Sequence, residues 1–263
     1  MPARWTDGDD DARIDAVLWR RMARAVFQPI VRVETGLTVG YQGGLRGPLG
    51  SPLEQEDRLV AAAAYRGLAP QLDELRLQQT VEAAQRAKLA APLALFVTRD
   101  IESSVAAPAV DRDGTFPIVV RFDLALPADA HGRLLDAAQR VRAAGGRVAL
   151  AAAAPTPRLS TLLEAVAPEF VMLDARTFET DATAVATLLD TLEGTGITAI
   201  ATNVDAEGEA RRVEAAGVAF AYGLRFGRRD LLVRAPVIFD PTGFDRDTTE
   251  VADASTAAEW SGR

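Results

Sequence analysis

Short apolar segments alternate with helical stretches along most of the chain, and this alternation restricts the fold more than any other feature of the sequence. Strands that are apolar throughout must be covered on both faces, so the pattern predicts an α/β fold with a mainly parallel sheet wrapped in helices. The predicted strands are PLALFVT (92–98), FPIVVRFDL (116–124), GRVALA (146–151), EFVMLD (169–174), ITAIAT (197–202) and VAFAYG (218–223). The predicted helices lie at 54–66, 71–89, 129–144, 158–166, 180–194 and 206–216.

A β-hairpin precedes these strands. The segments VFQPIVRVE and TGLTVGYQGGLR have the composition of strands, and Glu34, Thr35 and Gly36 form a tight turn between them. Two hairpin strands and six further strands make eight, which is the number in a closed (β/α)₈ barrel. The chain has 263 residues, 48% of them hydrophobic, so it can bury one sizeable core.

The sequence divides into three regions. We predict an N-terminal tail and helix over residues 1–25, a barrel domain over 26–240 and a C-terminal tail over 241–263. The helix is predicted over residues 11–25, because Ile14, Val17, Leu18 and Met22 recur at helical spacing. The C-terminal tail consists largely of small and polar residues and is predicted to be disordered.

Composition excludes several classes of function. A formal net charge of -8 argues against a nucleic-acid-binding surface, which needs concentrated Lys and Arg. The absence of cysteine excludes disulfides, Fe–S clusters and thiolate zinc sites. The one histidine, His131, opens a predicted helix and is expected to be an ordinary surface residue. No apolar run reaches the ~20 residues of a membrane span and no signal peptide opens the chain, so we expect a cytoplasmic protein with no membrane partner.

Three segments resemble those of a known family. FQPIVRVETGLTVGYQGGLRG (27–47) resembles the opening of EAL domains, the bacterial cyclic di-GMP phosphodiesterases, where the pattern ends in GyEALlR. GGRVAL followed by FVMLD is similar to the family's GirvAlDDfGtG…yvKiD block, and residues 199–228 are similar to its viAeGVE…QGyyfgrP block. The resemblance covers roughly residues 25–230. It implies an EAL-type modified TIM barrel whose first strand is antiparallel to the others.

The resemblance also indicates that the catalytic residues are missing. EAL enzymes hold two divalent cations with carboxylates and an asparagine, and such cations require oxygen ligands, preferably charged ones. The positions that correspond to the family's catalytic and metal-binding residues are occupied here by Gln42, Thr98, Arg121, Ala151, Ala152, Met172, Thr202 and Tyr222. An arginine and two alanines among these positions cannot hold two dications. We therefore predict a degenerate EAL domain with no metal, no cofactor and no phosphodiesterase activity.

Three residues remain candidates for ligand binding. Arg46 and Asp174 match positions that the family uses, and a guanidinium suits a phosphate through paired hydrogen bonds. Arg158 follows the end of a predicted strand, where it could join other arginines in a basic mouth or pair with nearby acids; we favour pairing. Against nucleotide binding, Gly43 and Gly44 remove the apolar contact that the family's leucine offers.

We therefore expect a catalytically inactive EAL-like domain that acts as a regulatory binding or protein-interaction module in cyclic di-GMP signalling. Its partner would be another protein or a second copy of the chain. The alternative is a metal-independent cyclic di-GMP receptor. An active phosphodiesterase or another barrel enzyme is the least favoured reading, because no paired carboxylates, Ser–His pair or metal cluster supports one.

Overall fold

The computed structural model describes residues 7–101, 116–124, 130–234 and 244. Within these residues eight strands form a closed barrel in sequential order. The strands are β1 (Arg24–Arg32), β2 (Thr38–Arg46), β3 (Ala94–Thr98), β4 (Ile118–Asp123), β5 (Arg147–Ala152), β6 (Phe170–Asp174), β7 (Thr198–Thr202) and β8 (Phe220–Ala221). The helices are α1 (Asp7–Trp19), α2 (Glu56–Tyr65), α3 (Ala69–Arg86), α4 (His131–Ala143), α5 (Pro157–Val166), α6 (Thr177–Thr180), α7 (Ala182–Leu192) and α8 (Glu207–Ala215).

The first strand has the orientation that the resemblance implied. β1 runs antiparallel to β2 and to β8, whereas all other neighbouring strands are parallel. The fold class is therefore confirmed: an α/β barrel of the modified (β/α)₈ type. None of the described helices is long and apolar enough to cross a membrane.

Two apolar layers hold the barrel together, because successive side chains of a strand point to opposite faces. The inner layer fills the barrel with alternate residues such as Phe96, Val119, Ala149 and Met172. The outer layer joins the other face of the strands to the amphipathic helices, and its members include Val120, Leu150, Val171, Leu134, Leu159 and Leu188. The apolar faces of the helices thus pack against the apolar strands, as the sequence pattern predicted.

The bottom of the barrel, at the N-terminal ends of the parallel strands, is closed by Phe244. Its ring lies 5.5 Å from that of Phe96, 5.0 Å from that of Phe170 and 4.8 Å from that of Phe220, between ring centroids. Space for it exists beside Gly40, where an added Cβ would lie 3.3 Å from Phe244 and 2.6 Å from the Ala94 carbonyl oxygen. The tail predicted over residues 241–263 otherwise lies outside the described residues, but Phe244 within it is buried.

The N-terminal helix is shorter than predicted. It was expected over residues 11–25, but α1 ends at Trp19 and residues from Arg24 onward belong to β1. Arg21 has a positive φ of 51°, and the Met22 amide donates a hydrogen bond to the Val17 carbonyl, so the chain leaves the helix there. Met22 consequently does not lie on the helical face assigned to it. Ile14 and Val17 do, and both are buried against the layer formed by β2, α2 and α3.

Candidate functional site

The C-terminal ends of the parallel strands meet at one end of the barrel, here called the mouth. The positions that the sequence predicts to be degenerate lie there because the strand register places them side by side. Gln42 pairs with Phe96 on β3, Thr98 with Arg121, Ala151 with Met172 and Asp174 with Thr202. Tyr222 follows directly after β8, and Ala152 ends β5. The structure therefore brings together all eight positions that the sequence comparison singled out.

Arg121 is the central charged group of the mouth. Its guanidinium donates to the Tyr222 hydroxyl at 2.9 Å and to Asp123 Oδ1 at 2.6 Å and 3.1 Å. Burial lowers the pKa of Arg121, but Tyr222 and Asp123 outweigh it and leave that pKa above its ordinary value. Burial likewise raises the pKa of Tyr222. The mouth thus contains a permanent cation that is bonded to a neutral phenol and to the Asp123 carboxylate.

Gln42 is buried on the β2 side of the mouth. Its amide nitrogen donates to the carbonyl oxygens of Gly43 at 2.9 Å and Phe96 at 3.3 Å, and lies 3.5 Å from the Thr98 hydroxyl. These acceptors fix the orientation of the amide, since a flip would place oxygen against oxygen. Gln42 Oε1 has no hydrogen-bond partner among the described residues.

Glu56 occupies the space next to Gly44. A Cβ at Gly44 would lie 2.6 Å from Glu56 Oε2, so the Glu56 carboxylate fits here only because Gly44 has no side chain. Glu56 accepts hydrogen bonds from the Leu45 amide at 3.2 Å, Arg76 at 3.1 Å and Arg229 at 2.6 Å. The β2 side of the mouth is therefore filled by an internal ionic contact. Sequence reasoning did not identify Glu56.

A buried ionic cluster joins Arg76 to the residues that follow β3. Arg76 donates to Asp73 Oδ1 at 3.1 Å, and Arg99 Nε lies 2.6 Å from Asp73 Oδ2. The Asp100 amide also donates to Asp73 at 3.2 Å. Burial raises the pKa of Asp73 to about 6, although Arg99 and Arg76 act in the opposite direction. This cluster fastens the start of α3 to the end of β3, and the sequence comparison missed it too.

Asp174 is held by two neighbours. Arg176 donates to both of its carboxylate oxygens, at 2.8 Å and 2.9 Å, and the Asn203 amide donates to Oδ2 at 2.9 Å. The hydrogen bond from Arg176 lowers the pKa of Asp174 to about 2. The carboxylate is therefore ionised but already satisfied by residues of its own chain.

Comparisons with known proteins identify the family. The profile of the EAL domain matches residues 15–229. This chain belongs to the EAL domain family. A search of curated protein sequences finds no match.

Solved structures share the fold of this EAL domain at low sequence identity. The FimX EAL domain of Xanthomonas citri, solved in complex with c-diGMP, is 17% identical with a TM-score of 0.71, over 88% of this chain and 99% of that one. The FimX EAL domain of Pseudomonas aeruginosa, bound to c-di-GMP, is 18% identical with a TM-score of 0.68, over 89% and 100%. An EAL domain protein of Listeria monocytogenes is 10% identical with a TM-score of 0.69, over 88% and 96%.

The donors present in the mouth of this EAL domain do not fit the two divalent cations of the family's enzymes. Gln42 and Thr98 offer neutral oxygens, Asp123 is bonded to Arg121, and both oxygens of Asp174 are occupied by its neighbours. Residues 7–101, 116–124 and 130–234 contain no group of three or more His, Asp or Glu side chains that could hold a metal ion. A guanidinium at the centre of the mouth would also repel a cation placed there.

An open pocket remains on the β4–β7 side of the mouth. Its volume is about 510 Å³, within the ~300–1,000 Å³ of typical small-molecule sites. The lining is mostly methyl and other apolar groups, with cationic and polar residues at the edges: Arg121, Leu124, Ala151, Ala152, Ala153, Ala154, Arg158, Leu159, Leu162, Met172, Asp174, Thr202 and Asn203. Ala151 and Ala152, which the sequence predicts at the positions of the family's Asp pair, therefore form part of an apolar wall.

The candidate ligand-binding arginines do not converge. Arg158 lines the pocket and donates to Nε2 of His131, at the half-buried start of α4, at 3.3 Å. Arg225 is bonded to Glu207 outside the mouth. Arg46 is half-buried at the end of β2, does not line the pocket, and makes no side-chain hydrogen bond or ion pair with the residues that the structure describes.

Proposed function

We propose that this chain is a non-catalytic EAL domain that acts as a regulatory binding module in cyclic di-GMP signalling, through contact with a protein partner. The observation that carries the proposal is the guanidinium of Arg121, which is bonded to Tyr222 and Asp123 at a position that the resemblance assigns to a carboxylate of the family's enzymes. A two-metal phosphodiesterase needs an anionic cage to bring its nucleophile and phosphate together. This mouth offers a cation and methyl groups instead.

The β2 side of the mouth, which Glu56 fills, also supports a function that does not involve nucleotide binding. Glu56 places a carboxylate beside Gly44, and the guanidiniums of Arg76 and Arg229 are engaged with it. A phosphate that approached this side would compete with an existing carboxylate for the same donors. The barrel is then a rigid scaffold for surface contacts.

A second candidate function is a metal-independent cyclic di-GMP receptor. Two observations favour it: the open pocket of about 510 Å³, and the half-buried guanidinium of Arg46, which no described residue engages. The FimX EAL domains named above were solved with c-di-GMP bound, and their resemblance to this chain in fold is consistent with such a role.

Calorimetric titration with cyclic di-GMP, once in EDTA and once in Mg²⁺, tests both candidates. Under the leading proposal neither titration gives heat of binding, and chromatography detects no linear dinucleotide after incubation with Mg²⁺ or Mn²⁺. Micromolar or tighter binding that is indifferent to metal would replace the leading proposal with the receptor. Hydrolysis that requires metal would overturn the assignment of the mouth as non-catalytic.

Matched variants assign any binding to the mouth. Arg46→Ala should abolish metal-independent binding if the receptor reading holds, whereas Arg211→Ala, an exposed arginine on α8, should leave it unchanged. Equal loss in both variants would point to non-specific attraction of an anion to surface arginines.

A further inference from the structure

The pocket on the β4–β7 side of the mouth has an apolar wall. Four consecutive alanines, residues 151–154, line it from the end of β5 onward, and Leu162 and Met172 extend the apolar surface. A methyl group offers a ligand no hydrogen bond, so a polar group placed against this wall would lose its bonds to water without replacement. An apolar group placed there leaves water at a gain in free energy. The wall therefore selects an apolar body.

The guanidinium of Arg121, which lines the same pocket, retains donors for a ligand. Two of its five N–H groups donate to Asp123 Oδ1 and one donates to the Tyr222 hydroxyl. The other two, one on each terminal nitrogen, have no acceptor among the residues that the structure describes. The contacts to Asp123 and Tyr222 hold the guanidinium in place, so an anion would meet donors that are already oriented. A carboxylate accepts such paired bonds well.

The charges around the pocket favour a single negative charge on the ligand. Among the described residues that line it, two are cationic and two are anionic: Arg121, Arg158, Asp123 and Asp174. Asp174 is paired with Arg176, which does not line the pocket. Three guanidiniums against two carboxylates leave one net positive charge. Arg158 also lies in the first turn of α5, where the helix dipole adds positive potential.

We propose that this pocket binds a small amphipathic monoanion: an apolar ring system or chain that carries one carboxylate. The apolar body would lie against residues 151–154, and the carboxylate would accept hydrogen bonds from Arg121. The pocket volume of about 510 Å³ equals that of roughly 17 molecules of liquid water, which is enough for a ligand of roughly 10–15 non-hydrogen atoms. The proposal goes beyond the proposed function, because this ligand is neither a protein nor a nucleotide.

Calorimetric titration with 2-naphthoate tests the proposal, and 2-naphthamide is the neutral compound of the same shape. Naphthoate is expected to bind with a dissociation constant of about 10 µM to 1 mM, the range for a well-placed ligand of this size. Naphthamide should bind about tenfold more weakly or less, because it cannot form a charge-assisted hydrogen bond with Arg121. Displacement of naphthoate by cyclic di-GMP at a lower concentration would assign the pocket to the nucleotide and overturn the proposal.

Two substitutions assign the binding to this pocket. Arg121→Gln should weaken naphthoate binding about tenfold and leave naphthamide binding unchanged, which also shows that the variant is folded. Ala153 is exposed on the pocket wall, so Ala153→Asp and its uncharged match Ala153→Asn should both fold. Ala153→Asp should weaken naphthoate binding about fivefold to tenfold relative to Ala153→Asn, and more so at low salt.

Three results would overturn the proposal. The first is the absence of naphthoate binding up to about 5 mM. The second is equal affinity for naphthoate and naphthamide, since the cation would then have no part in binding. The third is naphthoate binding that Arg121→Gln and Ala153→Asp both leave unchanged, because the compound would then bind elsewhere. The cyclic di-GMP titrations described above test the proposed function separately, so the two proposals can fail independently.

Discussion

Removal of the Phe244 side chain should destabilise the whole barrel, although this residue lies beyond the last strand. Phe244 is 8% exposed and its ring contacts the rings of Phe96, Phe170 and Phe220 at the bottom of the barrel. Phe→Ala substitutions in cores cost about 3–5 kcal/mol, from lost transfer free energy and the cavity that remains. The three surrounding rings belong to different strands, so the cavity cannot collapse without deforming the barrel.

The expected loss is therefore about 3–5 kcal/mol of the free energy of unfolding. For a domain of this size, each 1 kcal/mol lowers the melting temperature by roughly 2–4 °C. Phe244→Ala should thus melt at least about 6 °C below the wild type. Urea denaturation followed by circular dichroism gives the free energy directly, and Phe244→Leu should lose less because it leaves a smaller cavity.

Val233→Ala is the matched control, since it truncates an apolar side chain in the same C-terminal part of the chain that is 87% exposed. It should change the free energy by no more than about 0.5 kcal/mol. A loss below about 1 kcal/mol in Phe244→Ala, with an unchanged denaturant slope, would refute the inference that this ring closes the barrel. A changed slope would instead report altered compactness of the native or unfolded state.

Three further substitutions test the ionic groups. Asp73→Asn should lower the free energy of unfolding by about 3 kcal/mol, measured in urea, because Arg99 would keep a buried charge without its closest acceptor. Tyr222→Phe should cost about 1 kcal/mol in the same assay, since Arg121 loses one hydrogen bond. Asp174 has a folded-state pKa of about 2, below the ~3.9 of an unfolded aspartate, so its contribution is complete above about pH 4 and disappears as the pH falls towards 2. Asp174→Asn should flatten stability over that pH range, and an unchanged acid profile would contradict the ion pair.

The barrel was predictable from the sequence because its strands are buried on both faces. Residues 170–174 and 200–202 are all buried, and a mainly parallel sheet wrapped in helices covers both faces of such strands. The last strand shows where the pattern stops being informative. The sequence predicts this strand over 218–223, but only Phe220 and Ala221 form β8. Further along β1, its partner is a later residue of the chain, since Phe27 pairs with Asp230.

The ionic network around the mouth was not predictable in the same way. Asp73 and Arg76 lie within the buried stripe of α3, between Leu72 and Leu77, so the helix buries charges where the pattern alone indicates apolar contact. Their i, i+3 spacing was the one available signal of a pair. Their partners Glu56 and Arg99 come from elements distant in sequence. Only the register of β2 and β3 decides that these groups meet.

Phe244 was missed for a different reason. It stands alone among polar and small residues, and nothing in the local composition separates it from a disordered tail. Its role depends on the space above Gly40, which the barrel provides and a local window does not reveal. A residue can thus be buried even where the composition around it predicts disorder.

The residues of the mouth depend on one another, and this bears on whether a single substitution could produce metal-dependent hydrolysis. With Arg121 in place, the new carboxylate of Ala151→Asp would lie on the neighbouring strand and would tend to pair with the guanidinium instead of holding a cation. With Arg121→Glu alone, the Tyr222 hydroxyl would lose its donor, and Gln42, Ala151 and Ala152 would still leave any cation without charged ligands. Single reversions should therefore fail to produce metal-dependent hydrolysis, and several positions would have to change together. Arg121 and the two guanidiniums beside Glu56 already have a carboxylate or a phenol of the same chain as their partner.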